Sequence, residues 1–382
     1  GEDFVLKIYR KLEEGINPDR EIEEFLTEQT DYAHVPRALG SLEYVGTVND
    51  DSPPPRTTVG LLTSYVRNST DGWMYTLDHL GLFFERALAI SREDPRFRSL
   101  KAADPFSLIG HPLPPIINEL LGGYAERARM VGEHLGNLHI ALCSHPEMPD
   151  FAPEPFTEFY RHSVYHGMLA RFNRTLDSLR SSLLQLTDTA RADVRLLLER
   201  EMELRAGLVR LRDTRLGGAR IRHHGNFHLG HLLFTGTDVM ITNFEGDVSR
   251  PMSERRLKRS GIRDVAAMVR SFHYASHAVL YGHVPGIIAG RQSSPGLETW
   301  AQQWYQWVSA VFLEGYFRTT KSANFLPAGL NEREILFRAY LLEKALLEMD
   351  FEMLNRPDWI RIPVRGVLEQ LDEKALFGQI AG

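Results

Sequence analysis

The stretch HHGNFHLGHLLFTGTDVMITNFEGD, His223 to Asp247, decides how the chain is read. A polar loop, an apolar run, a TGTD turn, a second apolar run and a second polar loop follow one another. The two runs, 232–234 and 239–242, predict a β-hairpin with Gly236 in its turn. Its first strand leads away from loop 223–231 and its second returns to Asn243. Asn226, His231 and Asn243 are therefore expected at one end of the hairpin. A metal–nucleotide site asks for such a convergence: one group to orient an acceptor hydroxyl and two to hold Mg²⁺ against phosphates. Two of the three places here carry an amide, which matches a carboxylate in shape but is neither basic nor charged.

The rest of the composition narrows the class. The chain has 382 residues, 43% hydrophobic and 25% charged, the balance of a soluble globular protein with room for more than one packed unit. A net charge of −6 without a long Lys/Arg run argues against nucleic acid as a partner. No apolar run reaches the roughly 18 to 20 residues of a membrane span. The single cysteine, Cys143, forms no internal disulfide, and a cytoplasmic location is expected. It follows an apolar run and reads as a small buried residue.

Working outward from the hairpin, residues 1–70 read as a partial, β-rich small lobe with one helix. FVLKIY, Phe4 to Tyr9, reads as a buried strand continuing a sheet begun upstream, so the lobe is expected to be incomplete. INPDREIEEFLTE predicts a helix with Pro18 in its first turn and Ile22, Phe25 and Leu26 inward. LEYVGTV and TTVGLLTSYV read as strands around the solvated turn NDDSPPPR, residues 49–56. Residues 71–382 read as a large helical lobe carrying the catalytic hairpin 223–247. Apolar stripes recur there at Leu197, Leu204, Leu208 and Leu211, and at Val265, Met268, Val269 and Phe272.

Other residues admit two readings. His223, His224, His228 and His231 place four imidazoles in nine residues, a candidate zinc site that no Cys or HExxH helix accompanies. Trp300, Trp304, Tyr305 and Trp307 read as helix core or as a stacking platform for sugar rings. SERRLKRS, residues 253–260, reads as a solvated basic loop or as a contact to phosphate or to a partner domain. Glu343, Lys344, Glu348, Glu352, Arg356 and Trp359 place hydrogen-bonding groups and an aromatic beside RPDW. Glu348 and Glu352 lie one helical turn apart, a pattern able to bind the hydroxyls of a disaccharide.

Long runs carry a family resemblance: FVLKIYRKLEEGINPDREIEEFLTE, DFAPEPFTEFY, FEGDVSRPMSERRLKRSGIRDVAAMVRSFHYA, WYQWVSAVFLEGY and LLEKALLEMDFEMLNRPDWIRIPVRG. The chain resembles bacterial maltokinases, in particular the maltokinase part of trehalose synthase fusions. The resemblance implies an α+β fold, the bilobal protein-kinase-like fold of aminoglycoside phosphotransferases. It implies ATP and Mg²⁺ as cofactors, maltose or a related disaccharide as acceptor, maltose 1-phosphate as product and a trehalose synthase domain as a possible partner. It also assigns roles: Lys7 and Glu21 as the nucleotide-positioning ion pair, Asn226 and His224 in the catalytic loop, Asn243 and His231 at the metal, and the region of Glu343 to Trp359 at the sugar.

The family's HGDxHLGQ and DFEG read here as HGNFHLGH and NFEG. Losing a general base alone slows transfer by about 10²–10⁴. Three functions are thus expected: a catalytically impaired maltokinase, a non-catalytic sugar-binding or scaffolding remnant supporting trehalose synthase, or a histidine-based metal protein.

Overall fold

The computed structural model describes residues 3–47, 54–67, 70–91, 93–284 and 296–372. Near the N-terminus β1 (Phe4–Ile8), β2 (Ala38–Val45) and β3 (Arg56–Ser64) form an antiparallel sheet in the order β1-β3-β2, with Leu6 opposite Leu62 and Leu42 opposite Gly60. Most of the solvated turn expected at 49–56 lies outside the described residues. Helix α1 (Pro18–Gln29) packs on this sheet. The Asn17 side chain caps it by accepting the Asp19 N–H at 3.0 Å, Pro18 supplies a preset φ, and Ile22, Phe25 and Leu26 face inward as expected.

One expectation fails here. Residues 4–8 do form a strand, but not a buried one: Phe4, Leu6 and Ile8 are each more than half exposed. Among the described residues β1 is paired on one side only, with β3, and a short apolar run does not reveal in the sequence whether a neighbour covers it.

The remainder is mostly helical. The main helices are α2 (Gly72–Leu88), α3 (Tyr124–Ala141), α4 (Glu158–Ser182), α5 (Asp188–Glu199), α6 (Glu201–Asp213), α7 (Ile262–Leu280), α8 (Leu297–Thr319), α9 (Leu330–Asn355) and α10 (Arg361–Asp372). The leucine stripe of residues 197–211 is buried as expected but divides at Arg200 between α5 and α6. Val265, Met268, Val269 and Phe272 bury one face of α7. α3 and α8 approach closely through glycines: a Cβ on Gly132 would stand 2.2 Å from the Phe312 carbonyl oxygen, and one on Gly315 2.4 Å from that of Arg129. Trp300, Trp304, Tyr305 and Trp307 are buried on α8 and build core, which leaves no platform for a sugar. Cys143 is half-buried, its thiol donating to the His139 carbonyl at 3.0 Å.

Between α6 and α7 stands the expected hairpin, β4 (Leu232–Phe234) and β5 (Val239–Ile241), in the register Leu232–Ile241, Leu233–Met240 and Phe234–Val239. Gly236 turns it at φ 87°. Thr70–Asp71 adds a short third strand, and the Ile241 N–H donates to the His34 carbonyl at 2.8 Å, tying the hairpin to the segment after α1.

The basic segment 253–260 is not a solvated loop. Arg255 pairs with Glu13 at 3.0 Å, Arg256 with Glu21 at 2.5 Å and Lys258 with Glu154 at 3.0 Å. Long cationic side chains bury their stems while their heads find carboxylates, so sequence polarity alone misplaced them.

Candidate active site

Loop 223–231 hangs from a residue the sequence reading passed over. Asp264, in the first turn of α7, is 1% exposed and accepts the backbone N–H groups of His224 at 2.7 Å and Gly225 at 3.0 Å. His139 approaches the same carboxylate at 3.2 Å through Nε2 and meets the Tyr316 hydroxyl at 3.0 Å through Nδ1. Burial would raise the Asp264 pKa, but His223, His139 and His224 hold the carboxyl well below its usual range. In the sequence Asp264 reads only as an acid in a helix's first turn, and nothing there announces its burial.

His224 is committed to the loop itself. Its Nε2–H donates to the Thr242 carbonyl at 3.1 Å and its Nδ1 accepts the Asn226 N–H at 3.3 Å. It positions Asn226 and offers neither nitrogen to a substrate. Asn226 reaches the open side, where Lys344 Nζ donates to its Oδ1 at 3.4 Å.

Asn226, His231 and Asn243 do meet, through one hydrogen-bonded chain. His231 Nδ1–H donates to the Asn226 carbonyl at 2.9 Å, which leaves a lone pair on Nε2. The Asn243 amide nitrogen donates to that Nε2 at 2.6 Å, and its Oδ1 accepts from Lys7 Nζ at 2.7 Å. Every donor faces an acceptor with His231 neutral. Burial pushes the His231 pKa down to about 2, and its ring lies 3.8 Å from that of His228, which burial holds at about 3. Asn243 adopts φ 69°, a left-handed conformation that Asn tolerates well.

The expected Lys7–Glu21 ion pair does not form. Lys7 Nζ contacts Asp19 at 2.8 Å and Glu245 at 2.6 Å, while Glu21 pairs with Arg222 and Arg256. Positions 19 and 21 of α1 are about 200° apart around the axis, so only one can face β1. Asp19 takes that face and also accepts the Phe244 N–H at 2.5 Å. Glu245, to which the sequence reading assigned no equivalent role, reaches the site through its contact with Lys7.

These groups do not suit Mg²⁺, which asks for hard anionic oxygens in octahedral array. The two expected metal ligands are an amide and an imidazole already bonded to each other, and an ammonium sits among the remaining oxygens.

Beside Asn226 opens a cleft of about 1560 Å³, larger than the roughly 300–1,000 Å³ of ordinary ligand pockets. All six residues expected at the sugar, Glu343, Lys344, Glu348, Glu352, Arg356 and Trp359, line it. They differ in availability. Glu352 is 1% exposed and accepts from Tyr274 at 2.5 Å and Arg356 at 2.8 Å, so it holds the wall. Glu343 pairs with Arg263 at 3.0 Å, Glu348 with Arg270 at 2.6 Å, and burial lowers the Lys344 pKa. The Trp359 ring has His283 stacked at 4.5 Å and the Arg356 guanidinium at 4.3 Å. Trp73, Tyr274, Arg171, Arg174 and Asp247 line the cleft too and were not foreseen. Their positions are scattered along the chain, so no local pattern marked them. Six basic residues (Arg171, Arg174, Arg250, Arg259, Lys344 and Arg356) balance six acidic ones (Asp247, Glu254, Glu343, Glu348, Asp350 and Glu352), a lining suited to a neutral polyhydroxylated ligand.

The four clustered histidines form no metal-ligating group. Among the described residues such groups are His34, His134 and Asp238, and His273, His277 and Glu369. In each the two rings stack, at 3.6 and 3.8 Å, and the carboxylate hydrogen-bonds or pairs with both.

Acid is expected to weaken the fold through these neutral imidazoles. Burial drives the His223 pKa to about 3, below its unfolded value of roughly 6.5. As pH falls below roughly 6.5 the unfolded chain takes up a proton the folded one refuses, so stability drops by about 1.4 kcal/mol per pH unit until about pH 3. His228 and His231 act in the same direction. Denaturation midpoints measured at successive pH values check this: they should decline from neutrality downward, and a flat profile between pH 7 and 4 contradicts it.

No family model matches the chain. Among solved structures it is similar to a glucosamine kinase, with a TM-score of 0.69 and 16% identity over 98% of this chain and 76% of that one. It is also similar to a glucosamine kinase in complex with glucosamine, ADP and inorganic phosphate, with a TM-score of 0.67 and 16% identity over 97% of this chain and 73% of that one. The α+β, kinase-like fold is therefore shared with these sugar kinases. Among the described residues no helix is long and apolar enough to cross a membrane.

Proposed function

We propose that the protein is a sugar-binding relative of the maltokinases whose transfer of phosphate from ATP to maltose is strongly impaired. The observation that carries this reading is the contrast between two neighbours: a roomy, charge-balanced cleft beside Asn226, and a catalytic centre closed into the neutral chain Asn226–His231–Asn243. Asn226 can orient an acceptor hydroxyl through its amide but cannot take its proton. The similar glucosamine kinase in complex with glucosamine supports a saccharide as the ligand. The family resemblance favours maltose or a related disaccharide over a single ring, and the size of the cleft agrees.

A scaffolding role beside a trehalose synthase domain is the second reading, favoured by a sugar cleft that persists without the charges for chemistry. The first test is incubation with ATP, Mg²⁺ and maltose followed by assay for sugar phosphate. Product formation near the enzyme-free blank is expected; brisk formation of maltose 1-phosphate overturns the proposal. Within the cleft, Trp73→Ala is expected to weaken maltose about tenfold, by about 1.4 kcal/mol, through loss of ring contact. Calorimetric titration reads this directly, and an unchanged Kd removes Trp73 from the sugar site.

A further inference from the structure

We infer that the Lys7 ammonium is the resident cation of this site, standing among the oxygens that a divalent ion would otherwise gather, so that ligand binding here requires no divalent ion. Lys7 Nζ lies 2.8 Å from Asp19 Oδ2, 2.7 Å from Asn243 Oδ1 and 2.6 Å from Glu245 Oε1. An ammonium has three N–H donors, and these three oxygens take all of them. Its place is fixed from several sides. The Tyr9 ring lies 5.3 Å away and its hydroxyl donates to Asp19 at 3.1 Å, while Asp19 and Asn243 are held by Phe244 and His231.

Charge explains why the ammonium suffices. Asp19 and Glu245 contribute two negative charges and Lys7 cancels one. A carboxylate at 243 would leave a second negative charge for a metal to satisfy; the amide removes it. The neutral His231 adds a lone pair, but that lone pair already accepts from Asn243. A divalent ion entering this set would face an ammonium within a few ångströms, a repulsion that only a displaced Lys7 relieves. The same reasoning bears on phosphate: Lys7 has no donor left for a nucleotide unless it abandons one of its three oxygens.

The claim has a gain-of-function test that uses Mn²⁺ alone as the probe, followed by electron paramagnetic resonance. Wild-type protein is expected to show no saturable Mn²⁺ binding at this site. Lys7→Ala leaves Asp19, Asn243 Oδ1 and Glu245 converging without a cation, and should gain Mn²⁺ affinity by at least about tenfold. Lys7→Met, closer in shape, guards against a loosened strand, and circular dichroism establishes that each variant is folded. Saturable Mn²⁺ binding by the wild type that Asn243→Ala weakens overturns the inference. So does the failure of both folded Lys7 variants to gain any Mn²⁺. The last clause of the inference rests on the sugar reading and is read separately, by titrating maltose into wild-type protein with and without a chelator. A Kd unchanged by the chelator supports it, and a Kd raised about tenfold contradicts it. If maltose does not bind at all, the sugar reading falls while the Mn²⁺ result still decides the cation.

Discussion

Replacing Asp264 by alanine is expected to destabilise the protein by about 3–5 kcal/mol, the cost of removing one partner from a buried charged network. The carboxylate is the acceptor for two backbone N–H groups of loop 223–231, those of His224 and Gly225, and faces His139 from a third side. Alanine leaves those donors buried with nothing to bond, and the loop that presents Asn226 loses its anchor on α7. Asp264→Asn keeps the shape and one acceptor oxygen, so it should fall between wild type and alanine. Denaturant titration at neutral pH measures all three. A loss below about 1 kcal/mol for the alanine variant means that the loop is held by other contacts.

Placing carboxylates at positions 226 and 243 is expected to give no activity unless His231 changes with them. With Asp at 243, a carboxylate oxygen faces the lone pair of His231 Nε2, because the ring proton sits on Nδ1 and donates to Asn226. Relief requires either a second proton on a buried imidazole, which burial disfavours, or a tautomer shift that gives up the bond to the Asn226 carbonyl. Asn226→Asp with Asn243→Asp should therefore remain near the baseline rate. Adding His231→Gln supplies an amide that can turn its N–H toward the carboxylate. This triple variant is expected to raise transfer to maltose by about 10²–10⁴, the usual contribution of a positioned base. A double-mutant cycle between positions 231 and 243 should show a coupling of about 0.5–3 kcal/mol. If the double variant turns over as fast as the triple one, His231 is irrelevant and the account of the network is wrong.

Much of this site could be read before the fold was seen, because a hairpin is a local object. Strands 232–234 and 239–241 follow from two apolar runs around Gly236, and the hairpin then dictates that Asn226, His231 and Asn243 converge. The helix from Pro18 was legible for the same reason, since its cap and its inward stripe are written within a dozen residues. What escaped depended on facing or on distance in the chain. Lys7 meets Asp19 rather than Glu21 because of helix phase measured against a strand, which spacing alone does not fix. Asp264 anchors a loop 39 and 40 residues before it, and Trp73 joins the cleft wall with Tyr274 from the far end of another helix. The exposure of Phe4, Leu6 and Ile8 was invisible for a related reason: an apolar strand looks the same in sequence whether or not a neighbour covers it. The segment 253–260 adds the case of charge, since arginines paired with Glu13 and Glu21 cannot be told by type from arginines in water.

On the proposed reading the cleft still takes a sugar, while the centre beside it is closed by neutral hydrogen bonds and an internal cation. Thermal unfolding of the wild-type protein, with maltose in one series and Mg-ATP in the other, tests it most directly, because a ligand stabilises only the state that binds it. The expected result is a Tm that rises with maltose concentration and does not move with Mg-ATP. A Tm raised by Mg-ATP and indifferent to maltose would contradict it.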